Sequence, residues 1–113
     1  MLIENTALPQ TGDIVAFRLA TGEEVVAKLV SETETGVTIA KPVVLQMQMV
    51  GPQQAGIGLA PFMVAIDEDA KVTVQRSLMI TRPVKARKEI ANNYIKATTG
   101  LEIPGASSLP RMG

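Results

Sequence analysis

"DIVAFRLATGEEVVAKLV", residues 13–30, alternates apolar and polar side chains on either side of Thr21-Gly22. A period of two places every second side chain on the same face of a strand. The pattern predicts a first strand over residues 13–20, with Val15, Phe17 and Leu19 on one face and Ile14, Ala16 and Arg18 on the other. Ala20-Thr21-Gly22 then makes a short turn, where glycine adopts a left-handed backbone without steric cost. A second strand over residues 23–30 returns along the first, with Val25, Ala27 and Leu29 as its apolar face.

Working outward, "SETETG" at 31–36 is a polar turn ending in glycine, and residues 37–50 form a third strand that contains Pro42. Proline donates no ladder hydrogen bond, so Pro42 marks a bulge, an edge or a sharp bend. "GPQQAG" at 51–56 reads as a loop and "IGLAPFMVAI" at 57–66 as a fourth strand, with Pro61 marking an edge or distortion. The acidic turn Asp67-Glu68-Asp69 leads to a fifth strand over 71–79, where Val72, Val74 and Leu78 alternate with Thr73 and Gln75. Five short antiparallel strands joined by tight turns predict a mainly β fold, a small and strongly bent barrel.

Thr81 can cap a following helix, and Pro83 suits its first turn, where the missing N–H is not needed. From residue 83 to 98, Val84, Ala91, Tyr94, Ile95 and Thr98 share one stripe with Ile90 beside it, and the helix stops at Gly100. The chain therefore divides into an N-terminal segment (1–12), a barrel (13–80), an amphipathic C-terminal helix (81–100) and a Pro-, Gly- and Ser-rich tail (101–113).

The composition narrows the function classes. With 113 residues, 46% apolar and 19% charged, the chain makes one folded domain. The absence of Cys and His removes thiolate and imidazole chemistry, the usual nucleophile, general base and metal ligands. No enzyme activity, cofactor or metal is expected, and Asp67 with Asp69 reads as a solvated turn. Residues 42–66 carry no charge, but four Gln, three Pro and three Gly make them a poor membrane helix. "MLIENTALPQTG" lacks a basic start before an apolar run, so no signal peptide is expected and the location is cytoplasmic. Residues 1–40 carry six acids and two bases, whereas 82–113 carry two acids and six bases. The basic end is read first as a solvated helix face.

The order of elements resembles the Sm fold of the Sm, Lsm and Hfq proteins, an SH3-like barrel. In that family the first strand ends in an apolar residue, two variable residues and Gly, as Leu19-Ala20-Thr21-Gly22 does here, before a hydrophobic second strand. The match spans residues 13–79. Ala27 stands where the family often has Gly, Glu32-Thr33-Glu34-Thr35 where it has Asp and Asn, and Asp67-Glu68-Asp69 where it has an Arg-Gly pair. The helix follows the barrel instead of preceding it, and taken together the chain resembles divergent Sm-like proteins of marine phage type.

The resemblance implies a homo-oligomeric ring that holds single-stranded RNA at the loops before strand three and between strands four and five. An exposed apolar edge strand independently calls for a partner, and head-to-tail pairing closes a ring. Phe62, Val64, Ile66, Val72 and Val74 are the expected subunit interface, with filling of a monomer core as the competing reading. By position, Thr33, Thr35 and Lys71 belong to the RNA loops, and Arg82, Lys85, Arg87 and Lys88 form the basic surface available to phosphate. The carboxylates of Glu32, Glu34, Asp67, Glu68 and Asp69 oppose phosphate binding, and no aromatic in these loops can stack a base. A ring scaffold that binds protein and no RNA is therefore the second reading. The opening stretch also resembles part of the self-cleaving repressor peptidases, in which a Lys near Lys28 activates a Ser. Their upstream Ser-Met motif has no counterpart in residues 1–12, so Lys28 is read as a strand-face residue.

Overall fold

The structure, a computed structural model, describes residues 8–99. The expected tail, the helix stop at Gly100 and the start of the N-terminal segment lie outside them.

The opening hairpin is present. β1 (Ile14–Arg18) pairs antiparallel with β2 (Glu24–Glu32), from Ile14 opposite Lys28 to Arg18 opposite Glu24. Leu19 N–H donates to Glu23 O and Gly22 N–H to Leu19 O, both at 2.9 Å, with Gly22 at φ +107°. Only glycine takes that conformation cheaply, which is why the turn falls here. Val15, Phe17 and Leu19 of β1 and Val25, Ala27 and Leu29 of β2 are all buried, as their alternation predicts. With Val37, Ile39 and Val74 they make one core, against which Phe62, Val72 and Met79 pack.

The third strand, β3 (Gly36–Gly51), serves two partners in succession. Its first half lies between β2 and β5 (Lys71–Gln75), with Gly36 opposite Gln75 and Ala40 opposite Lys71. Its second half pairs with β4 (Gln54–Pro61), from Val43 opposite Pro61 to Gly51 opposite Gln54. Between the halves β2 advances two residues, Val26 to Lys28, while β3 advances three, Val43 to Ala40. The extra residue is a bulge at Lys41-Pro42, with Lys41 at φ +50°, in the place where Pro42 predicts one.

After β5 a single 3-10 turn, Arg76–Leu78, returns the chain to the start of the sheet. Met79 bridges Leu19, Ala20 N–H donates to Leu78 O at 2.7 Å, and Ile80 N–H donates to Arg18 O at 2.8 Å. Hydrogen bonds thus link β1 to β2, β2 to β3 and β3 to β5, and residues 78–80, which follow β5 in the chain, bond back to residues 18–20. β6 (Val84–Lys85) adds to the outer edge of β1, and α1 (Lys88–Thr99) follows. Among the described residues no helix is long and apolar enough to cross a membrane.

Three expected elements differ. The fourth strand spans 54–61, not 57–66: Pro52-Gln53 is a tight turn, and beyond Pro61 the Phe62 N–H turns in to Pro42 O at 3.1 Å. The fifth strand ends at Gln75 because the 3-10 turn interrupts it. The helix begins at Lys88, not near Pro83, because Val84 and Lys85 satisfy the open backbone of β1. Consequently Val84 is exposed instead of lying on a helix stripe, and the Thr81 hydroxyl accepts from Arg18 N–H at 3.0 Å instead of capping the helix. Of the helix stripe only Tyr94 is fully buried.

Candidate nucleic-acid interface

The turn between β2 and β3 is built by its own side chains. The Thr33 hydroxyl accepts from Thr35 N–H at 3.3 Å and Gly36 N–H at 3.2 Å, while Thr33 N–H donates to Gly36 O at 2.8 Å. This local bonding is the habit that places Thr in turns. Thr33 is therefore occupied in shaping the loop, and Thr35 lies exposed beside it at 3.3 Å, hydroxyl to hydroxyl.

The segment that meets this turn is Arg76–Leu78, not the acidic loop 67–71. Arg76 N–H donates to Thr35 O at 2.9 Å, and its guanidinium donates to Thr33 O at 2.6 Å and to Glu32 Oε2 at 3.0 Å. Arg82 reaches the same Glu32 oxygen at 3.1 Å. A single, largely buried carboxylate thus holds two guanidinium groups and fixes both arginines against the turn; with Glu34 in the turn itself, two acids stand against two bases. Lys71 stands opposite Ala40 at the other end of β5, roughly 13 Å of strand from Gln75, so it and Asp67, Glu68 and Asp69 are not part of this rim.

The remaining predicted cations do not converge. Lys85 faces Val15 in the β6–β1 pairing, and Arg87 and Lys88 open the helix, with the Arg87 guanidinium 3.8 Å from Glu89. None of the three aromatics presents a free ring: Phe17 and Tyr94 are buried and Phe62 packs on the core. No aromatic ring is therefore placed beside this turn to stack a base.

The expected interface residues divide in two. Phe62, Val72 and Val74 pack in or against the core of the single chain, whereas Val64 is 86% exposed and Ile66 half-buried in the loop after β4. Arg76 is the site residue that sequence reasoning passed over. Its signal was present, an Arg-Ser pair directly after an alternating run, but reading 71–79 as one unbroken strand hid the turn. No protein-family model matches the chain, and no curated protein matches it.

Proposed function

We propose that the chain is an Sm-like subunit that assembles with copies of itself into a ring and holds single-stranded RNA on the rim formed by Thr33–Gly36 and Arg76. The ladder from β1 through β2 and β3 to β5, the return of residues 78–80 to the end of β1, and the β2–β3 turn seated on Arg76 carry this reading. In the Sm family the loop before strand three and the turn between the last two strands meet, and the latter carries an Arg-Gly pair. If β5 and the segment at Met79 are those last strands, Arg76-Ser77 takes that place and the 43–61 hairpin is an addition to the fold. Among the described residues the outer edges of β4 and β5 have no strand partner, which supports association through an edge.

The ring without RNA is kept as a second reading because one observation favours it: Glu32 already satisfies both Arg76 and Arg82. Native mass spectrometry and RNA binding separate the two. An integral multiple of the chain mass, with anisotropy-detected binding of a short uridine-rich oligonucleotide that weakens from about 50 to 200 mM salt, is the expected result. A ring that shows no salt-sensitive binding at micromolar protein leaves the scaffold reading, and a monomer removes both.

A further inference from the structure

Beyond Val44, where the pairing with β2 ends, β3 and β4 continue as a two-stranded arm within a stretch, 42–66, that has no charged side chain. Leu45 opposes Leu59, Met47 opposes Ile57 and Met49 opposes Ala55, so these six share one face of the ladder. Gln46 and Gln48, opposite Gly58 and Gly56, take the other face. On the apolar face Met47 is 73%, Met49 68% and Ile57 54% exposed. At the arm's base lies a groove of about 430 Å³, lined by Leu59 and Pro61 of β4, Met63, Val64 and Ile66 of the next loop, and Thr98 of α1. Lys41, Asp67 and Glu68 also line it.

We propose that the Met47, Met49 and Ile57 face of one copy seats in the Met63–Ile66 groove of a second copy of this chain. The arm cannot fill its own groove: Met49 lies about 20 Å along the ladder from Val43 at the base, and folding back would break the pairing that forms the arm. An acidic, basic or phosphate-bearing partner would find no charge on the arm to meet. A second copy offers a groove with mostly apolar lining, and the Gln53 and Gln54 amides at the arm's tip can donate to its Asp67 and Glu68 and accept from its Lys41. Flexible methionines suit a groove of irregular shape. A one-way contact of this kind is head-to-tail, and repetition closes a ring or extends a filament, whereas reciprocal exchange of arms between two copies closes a dimer. The inference rests on the ring reading only for the association of copies; pairing through strand edges does not require it.

Complementation tests the contact. The double variant Met47→Glu with Met49→Glu keeps its groove, and Val64→Glu keeps its arm. All three positions are exposed, so the far-ultraviolet circular dichroism of both proteins should match the wild type. Each variant alone is expected to run as a monomer, and an equimolar mixture as a dimer that grows no further, since only one intact arm-groove pair remains. A photo-reactive side chain in place of Val64, in an otherwise wild-type chain, should crosslink to 47–57 of another copy. Variants that retain the wild-type oligomer overturn the contact while leaving the ring reading intact. Monomeric variants that fail to pair on mixing, or a crosslink confined to 100–113 of the same chain, also overturn it. A monomeric wild type overturns the ring reading and this contact together.

Discussion

Tyr94 carries the attachment of the helix to the sheet. Its hydroxyl donates to the Lys41 carbonyl at 2.8 Å and the Ala40 carbonyl at 3.0 Å, both beside the bulge. Tyr94→Phe keeps the ring and leaves both acceptors unmet, so a loss of about 1–2 kcal/mol is expected in urea unfolding. Burial also pushes the phenol up to about 12 from 10.0. The folded state therefore prefers the protonated phenol: its contribution is complete below pH 10 and is lost as pH rises from 10 toward 12. Alkaline unfolding of the wild type should show this fall, and Tyr94→Phe should show less of it. Lys41 itself sits at φ +50°, a left-handed backbone that costs a side chain about 1 kcal/mol and a β-branched one more. Lys41→Gly should leave the unfolding midpoint unchanged or slightly raised, whereas Lys41→Val should lower stability by about 2 kcal/mol.

Two glycines of the long third strand and its partner separate close packing from open surface. A Cβ on Gly36 would lie 2.9 Å from the Val74 carbonyl oxygen, which cannot yield without opening the β3–β5 ladder. A Cβ on Gly58 would meet only the side chain of Gln48, 2.6–2.9 Å away, and an exposed amide can rotate aside. Gly36→Ala should therefore cost about 1–3 kcal/mol by thermal or urea unfolding. Gly58→Ala should stay within about 0.5 kcal/mol. A reversed order would mean that the arm, and not the β3–β5 contact, is the more tightly specified half of β3.

For the molecule as a whole, Glu32 separates the two proposed readings, a ring scaffold and an RNA binder. It is the acceptor shared by Arg76 and Arg82, so Glu32→Gln removes one negative charge and releases two guanidinium groups for phosphate. If the rim holds RNA, this variant should bind a uridine oligonucleotide more tightly than the wild type. Its salt dependence should steepen by about 0.7 per added phosphate contact. Unchanged affinity and slope at an unchanged oligomeric mass would place any RNA away from this rim.

Local chemistry made the opening hairpin, its buried faces and the bend at Pro42 legible, because alternation, a turn glycine and a proline act within a few residues of themselves. Helix and strand ends were less so. Val84 and Lys85 join a sheet only because β1 has an open edge, and no local pattern announces an edge. The site was the least legible part. Arg76 and Arg82 meet a carboxylate 44 and 50 residues earlier in the chain, and Tyr94 finds carbonyls more than 50 residues before it. Such partners are chosen by the way β3 bends and by the hydrogen bonds that tie residues 78–80 to residues 18–20. A single side chain announces what it can donate or accept, while the fold of the whole chain determines which group it meets.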